Sequence, residues 1–198
     1  MSTYTNVRGY SDGSCKIKGA GFHPGGWGAS LSWTCNGQTI GWHAYDGKAK
    51  TTNNEMELMG MLKLVEMVPR GCSKCTLHSD SEYMLKSLVK GGNGEIKKRN
   101  LGDGVEFTGY LGNWLCNEWK KADGGDVKNL TMWKRLVTAF EELANSGTVV
   151  ELKWVQGHSG DKGNEAADTL ANLGAAKAAN GGTLTPESIL AKIERFIV

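Results

Sequence analysis

The sequence predicts an α/β fold with a mixed five-stranded sheet and helices on both faces. Three strand-like segments fall within the first 45 residues, and Asn36-Gly37 is a strong hairpin turn between two of them. Later strand-like segments alternate with helical ones, which is the order that produces parallel pairing. We therefore expect an antiparallel meander that continues into parallel strands.

The first half of the chain contains the meander, a helix and a strand–helix pair. Residues 27–34 alternate large and small side chains, as expected for a strand with one buried face. Residues 54–68 carry apolar side chains at helical spacing, and Pro69 ends that helix. The predicted elements are strands 7–10, 27–34 and 39–45, a loop at 16–28, helix 54–68, strand 74–79 and helix 81–89.

The second half begins with a polar, glycine-rich connection at residues 90–108. A connection of this length is uncommon within a compact domain and is usually functional or mobile. A β-branched strand and an alanine-rich helix come later. The predicted elements are helices 110–121 and 129–144, strand 148–155, helix 161–179, a break at 180–182 and a terminal helix at 186–198.

Composition places the chain among globular proteins. It has 198 residues, 39% of them hydrophobic and 22% charged, with a net charge of +2. This charge excludes a purely electrostatic nucleic-acid binder but not a nuclease with a local basic patch. Neither a secretory signal nor an apolar run of about 20 residues is present, and the five cysteines are scattered. We expect a cytoplasmic monomer that does not contact membranes.

Four acidic residues lie where predicted strands end or within helices that follow them. They are Asp12, Glu57, Asp80 and Asp168, and we refer to them as the four carboxylates. Ligands collect near strand ends in such sheets, and converging carboxylates need cations. Mg²⁺ is the commonest hard divalent cation with oxygen ligands, and a pair of such ions can cleave phosphodiesters.

Each of the four carboxylates also has an ordinary structural explanation. Asn54 and Glu57 fit a capping box, and Asp80 fits a helix N-cap. Asp12 belongs to an Asp-Gly-Ser turn, and Asp168 could be a solvated helix position. Spacing alone does not select these four from 21 acidic residues.

Four stretches, in order, resemble type 1 ribonuclease H. They are YSDGSC (10–15), TTNNEMEL (51–58), LHSDSEY (77–83) and KWVQGHSGDKGNEAADTLA (153–171), with weaker matches at NWLCNEWKKA and KNLTMW (128–133). The resemblance implies a ribonuclease H-like fold, with a catalytic domain at 1–174, an insertion at about 90–108 and a C-terminal extension at 175–198. It also implies that the four carboxylates bind two Mg²⁺ ions, with Mn²⁺ as a substitute.

The resemblance implies an endoribonuclease that cuts the RNA strand of RNA–DNA hybrids, leaving 3′-hydroxyl and 5′-phosphate ends. Asp12 would bridge both ions, joined by Asp80 on one and by Asp168 on the other. Glu57 would hold a metal ion and contact the RNA 2′-hydroxyl. His158, in a Gly-His-Ser-Gly loop, corresponds to a family histidine that assists proton transfer or product release.

The resemblance also assigns residues to hybrid binding, where the 2′-hydroxyl distinguishes RNA from DNA. Family members that grip the hybrid with a protrusion carry basic residues between two tryptophans, whereas residues 115–118 here are Leu-Cys-Asn-Glu. We predict fewer ionic contacts, although both tryptophans could instead simply pack in the core. The implied substrate-binding residues are Cys15, Thr52, Asn53, Asn54, Glu82, Trp114, Trp119 and Asn129.

Two other functions remain open at this stage: a catalytically silent hybrid-binding domain, and a related nuclease or integrase acting on DNA. The presence of all four carboxylates argues against the first. The TTNNEME and WVQGH stretches favour the ribonuclease branch over the second. A serine triad at Ser159 and a zinc site at Cys72-x-x-Cys75 are disfavoured, because a nucleophile elbow and a second ligand pair are missing.

Overall fold

The computed structural model describes residues 4–15, 23–98 and 104–180. Within these ranges six strands form one mixed sheet in the order β3-β2-β1-β4-β6-β5. The strands are β1 Tyr4–Cys15, β2 His23–Cys35, β3 Gln38–Thr51, β4 Lys74–Ser79, β5 Gly94–Ile96 and β6 Val149–Trp154.

Helices cover both faces of the sheet, as predicted. α1 packs on β1 and β2 and also against α4, whereas α5 crosses β1, β2 and β3 from the opposite side. No helix in the described ranges is both long and apolar enough to cross a bilayer. The helices are α1 Asn53–Met67, α2 Glu82–Leu88, α3 Tyr110–Cys116, α4 Leu130–Asn145 and α5 Lys162–Ala179.

The main hydrophobic core lies between the sheet and the layer formed by α1 and α4. Alternation along β2 places Ala29, Leu31 and Trp33 in this core. Helical spacing places Trp133 and Phe140 of α4 in the same core. All five are at most 6% exposed. This packing fixes the strand ends on which the polar site is built.

The predicted sheet topology is confirmed, but the predicted number of strands is wrong. β1 pairs antiparallel with β2 and parallel with β4, and β4 pairs parallel with β6. The sixth strand, β5, lies within the predicted connection 90–108 and pairs antiparallel with β6. Its three residues include a single buried apolar side chain, Ile96, which is too little pattern to reveal a strand.

Several predicted boundaries also differ from the structure. The helix predicted at 110–121 ends at Cys116, because Glu118 and Trp119 have positive φ angles of 47° and 62°. Part of the predicted loop at 16–28 is strand, because β2 begins at His23 and its glycines pair with the end of β1. The predicted helix at 186–198 lies outside the described residues.

Candidate active site

Three of the four carboxylates converge at one edge of the sheet. Asp12 is near the end of β1, Glu57 is in α1, and Asp80 directly follows β4. One carboxylate oxygen from each lies within 4.8 Å of the others. Asp168, on α5, approaches from the other side of the sheet and lies close enough to hydrogen-bond with a protonated Asp12. The fold therefore brings all four predicted residues to one place.

Close backbone packing holds Asp12 and Glu57 together. Gly13 follows Asp12, and a Cβ atom at this position would lie 2.3 Å from the Glu57 backbone nitrogen. Only glycine allows β1 to approach α1 so closely. The Gly13 N–H also donates a 2.7 Å hydrogen bond to Asp12 Oδ1, which fixes the orientation of that carboxylate.

The electrostatics of the site disfavour negative charge unless a cation is present. Burial, followed by the charges of Asp80 and Asp168, raises the pKa of Asp12 from 3.8 to about 8. Burial raises the pKa of Glu57 well above its usual value, with Asp12 and then Asp80 adding repulsion. In the protein alone, these two carboxyl groups therefore tend to hold protons.

The ordinary structural explanations for Glu57 and Asp80 are wrong. Thr52, rather than Asn54, caps α1, because its hydroxyl accepts a hydrogen bond from the Glu55 N–H. Ser81 caps α2 in the same way. Glu57 is only 6% exposed, so its carboxylate neither caps the helix nor provides a solvated surface charge.

The donor set fits divalent metal ions. Glu57 Oε2 is buried without a hydrogen-bond partner among the described residues, and its other oxygen accepts from the Asn53 amide at 3.3 Å. Unpaired buried carboxylate oxygens are costly, and a hard cation with oxygen ligands would remove that cost. In the described ranges this is the one acidic, histidine or cysteine group compact enough to hold a metal ion.

Two asparagines on α5 orient the carboxylates and were not predicted from sequence. The Asn164 amide lies 3.4 Å from Asp80 Oδ2, and the Asn172 amide donates to Asp168 Oδ1 at 2.9 Å. Ser14 Oγ in turn donates to Asn172 Oδ1 at 2.9 Å. Both asparagines lie four residues from Asp168, so helical periodicity would have identified them.

The loop after β6 also contacts Asp80. The Trp154 indole donates to the Asp80 carbonyl at 3.2 Å, and a Cβ atom at Gly157 would lie 2.7 Å from Asp80 Oδ2. The next residue, His158, is exposed and has a positive φ of 53°. The structure therefore places His158 on a loop beside the carboxylates.

The residues predicted to bind substrate fall into two groups. Thr52, Asn53 and Asn54 are exposed at the start of α1, next to Glu57. Cys15 is partly buried at the end of β1, and Glu82 starts α2, where Lys86 neutralises it at 2.5 Å. Each of these five residues is within five positions of Asp12, Glu57 or Asp80 in the sequence.

The second group lies in residues 110–129, which we call the tryptophan segment. Trp114 packs edge-on against the buried Trp133, with ring centroids 5.4 Å apart. Trp119 is half-buried, with Lys134 Nζ 5.7 Å from its ring centroid. Asn129 has a left-handed backbone and precedes α4. Both tryptophans therefore contact the core while keeping part of their surface exposed.

Comparison with known proteins agrees with this geometry. The RNase H family model matches residues 5–176. A ribonuclease H from Albidiferax ferrireducens is 36% identical over 165 residues, covering 83% of this chain and 91% of the relative. One from Hahella chejuensis is 36% identical over 169 residues, covering 85% and 93%.

The fold is also found in solved structures. The crystal structure of LC9-RNase H1 aligns with a TM-score of 0.66 at 24% identity, covering 97% of this chain and 84% of that one. This likeness supports the α/β ribonuclease H-like architecture. Together with the family match and the bacterial relatives, it confirms the resemblance drawn from the sequence: the chain belongs to the RNase H family and is a type 1 ribonuclease H.

Proposed function

We propose that this ribonuclease H cuts the RNA strand of RNA–DNA hybrids internally, with two Mg²⁺ ions held by the four carboxylates. Mn²⁺ would substitute for Mg²⁺, and the products would carry 3′-hydroxyl and 5′-phosphate ends. The observation that carries the proposal is the convergence of carboxylate oxygens from Asp12, Glu57 and Asp80 within 4.8 Å of one another. Such a group is stable as anions only when cations balance it.

The placement of the carboxylates supports a division of roles. Asp12 is close to both Asp80 and Asp168, so it is the residue suited to contact both ions. Glu57 would hold a metal ion and reach toward the 2′-hydroxyl. When bound, the ions would activate water and stabilise the leaving oxygen. The protein then needs no nucleophilic side chain of its own.

His158 is proposed to assist proton transfer or product release. An imidazole suits both tasks, because its usual pKa lies near neutrality. Its exposed position on the loop after β6 supports this role, since the ring can approach and leave the reacting phosphate without disturbing the core.

Recognition of the hybrid is proposed to use short polar groups beside the carboxylates. Thr52, Asn53 and Asn54 form an exposed polar edge at the start of α1, suited to a shallow minor groove lined by 2′-hydroxyls. Cys15 and Glu82 would lie on the RNA side. Trp114, Trp119 and Asn129 would contact the hybrid from the tryptophan segment, and the enzyme would act as a monomer.

The test compares three labelled duplexes, RNA–DNA, RNA–RNA and DNA–DNA, in the presence of Mg²⁺. Wild type should cleave only the hybrid, and Asp12→Asn should lose at least about 10³-fold in rate, since it removes the shared ligand. Asp46→Asn is the matched control, because Asp46 is an exposed aspartate paired with Lys177. His158→Ala should slow cleavage by about 10²-fold.

The outcomes separate the remaining alternatives. Cleavage of the DNA duplex would favour a DNA nuclease, and binding without cleavage would favour a silent hybrid-binding domain. An Asp12→Asn variant as active as Asp46→Asn would contradict the assignment of the carboxylates. Extension of the cut RNA by a polymerase would verify the 3′-hydroxyl end.

A further inference from the structure

We propose that a second cavity, lined by cations and hydroxyl groups, binds a phosphate anion. It has a volume of about 330 Å³ and lies between strands β1–β3 and the start of α5. Arg8 lines it, and Asp12 is four residues further along β1, so their Cα atoms are about 13 Å apart. None of the four carboxylates lines the cavity, although Tyr10, two residues from Asp12, does, and this inference does not depend on the proposed catalytic mechanism.

Strand register explains why polar side chains gather at this cavity. Residues directly opposite each other on paired strands share one face of a sheet. Two such rows cross β1, β2 and β3 on the face that carries α5. The two rows are Arg8–Ser32–Gly41 and Tyr10–Ser30–His43.

Small residues on the helix side leave room beside the Tyr10 ring, which packs so closely on Gly163 that a Cβ atom there would lie 2.2 Å from it. On the helix side the cavity is lined by Lys162, Gly163 and Ala166, so α5 sends no large apolar side chain into it. The strands contribute serines where a core would have branched aliphatic residues. Tyr10 and Leu31 also line the cavity, so it combines apolar walls with a few polar groups, as ligand sites commonly do.

Two cationic residues and no acidic residue line the cavity. Neither Arg8 nor Lys162 is in an ion pair with another residue of the described ranges. Asp161 is the neighbouring acidic group, but its Oδ1 accepts from the Gly163 and Asn164 N–H groups as the cap of α5. A guanidinium beside an ammonium group matches the oxygens of a phosphate.

His43 supplies an unused hydrogen-bonding group at the same place. Its Nδ1 is buried and has no hydrogen-bond partner among the described residues. Leaving a buried polar atom unpaired is costly, and a rotation of the ring that turns an Nδ1–H tautomer toward the cavity would let a phosphate oxygen accept from it. The hydroxyl groups of Ser30, Ser32 and Thr39 line the cavity as further donors.

Two sources could supply this chemistry: free inorganic phosphate and the phosphate of a nucleoside monophosphate. The experiment titrates the full-length protein with each, at constant ionic strength in a chelator that excludes metal ions from the four carboxylates. NMR signals of the His43 ring report binding, and the chain has only four histidines to assign. Chloride and sulfate serve as reference anions.

We expect both phosphate probes to shift the His43 signals and to raise the melting temperature more than chloride does. Arg8→Gln and Lys162→Gln should each weaken binding by about tenfold, because each removes a charged donor. Arg70→Gln is the matched control, since Arg70 is paired with Glu142 away from the cavity. Tighter binding of the monophosphate would identify an ester as the ligand, and binding of inorganic phosphate alone would identify the free ion.

A third variant distinguishes phosphate binding inside the cavity from phosphate binding to a basic surface. Ser30→Val fills space without changing charge, so it should abolish the His43 shift and leave the fold intact. The proposal is overturned if phosphate acts no differently from chloride, if Arg70→Gln weakens binding as much as Arg8→Gln, or if Ser30→Val still binds. None of these readouts is catalytic activity, so failure here leaves the proposed function standing.

Discussion

The carboxylate site and the tryptophan segment handle charge in opposite ways. At the site, Asp12 and Glu57 are buried and form no ion pair among the described residues, and burial followed by repulsion from neighbouring carboxylates raises the pKa of both. In the tryptophan segment, Lys120 pairs with Asp126 at 2.5 Å, and the ring of Trp119 lies beneath Lys134 of the neighbouring helix α4. The comparison indicates that the site requires external cations, whereas the segment is already close to neutral.

The prediction with the largest expected effect concerns the carboxylate site and removes a contact that orients one of its carboxylates. Asn164 is 2% exposed and its amide contacts Asp80. We expect Asn164→Ala to raise the Mg²⁺ concentration for half-maximal cleavage by about tenfold, as losses of groups that orient metal ligands do. The measurement is hybrid cleavage at increasing Mg²⁺, with kcat recovering at saturation.

Asn145→Ala is the matched control, because Asn145 is an exposed asparagine at the end of α4. A merely structural role for Asn164 would lower the melting temperature without changing the Mg²⁺ dependence. That result would contradict the assignment of Asn164 as a positioning residue.

A second prediction concerns stability in the absence of metal ions. Between pH 3.8 and about 8 the folded protein holds a proton on Asp12 that the unfolded chain has lost. Stability in chelator should therefore fall as the pH rises through this window. Asp12→Asn removes the effect, and we expect it to melt about 5 °C above wild type at pH 8.5.

Thermal melts of both proteins at several pH values in chelator measure this difference. The gap should shrink toward pH 4 and also when Mg²⁺ is added to wild type. A gap that stays constant with pH would mean that burial and the neighbouring carboxylates do not raise the pKa of Asp12 as the structure indicates.

The prediction with the smallest expected effect concerns how the tryptophan segment contributes to the salt dependence of hybrid binding. Hybrid affinity should depend weakly on salt, because Lys120 is already paired. Asp126→Asn frees that lysine, so we expect the slope of log K against log salt to steepen by about one unit. Binding is measured in chelator, so that the RNA remains intact.

Glu142→Gln provides the matched control, since it frees Arg70 on a different surface. Equal changes in slope for both variants would show a general charge effect. A wild-type slope steeper than that of a relative with a basic protrusion would refute the predicted scarcity of ionic contacts.

Part of this architecture could be predicted from the sequence, because local patterns determine it. Alternation and the Asn36-Gly37 turn identified the meander, and apolar spacing identified α1. β5 escaped prediction, since a three-residue strand stabilised by pairing with β6 leaves almost no local pattern. Positive φ at Glu118 and Trp119 likewise ended α3 earlier than its composition suggested.

The site was less predictable from physical reasoning alone. Its carboxylates come from two strand ends and two helices that are distant in sequence, so no spacing rule connects them. Family resemblance selected them, and the fold then placed them together. Asn164 and Asn172 were accessible in principle, because each is one helical turn from Asp168. The cavity lined by Arg8 could not have been predicted from sequence, because the register between paired strands creates it.

The most direct test of the central claim is anomalous diffraction from crystals of the wild-type protein grown with Mn²⁺ and a hybrid carrying an uncleavable RNA linkage. We expect two manganese peaks, both contacting Asp12, with Glu57, Asp80 and Asp168 completing the ligand set. A single peak, or peaks that lie away from these carboxylates, would contradict the central claim.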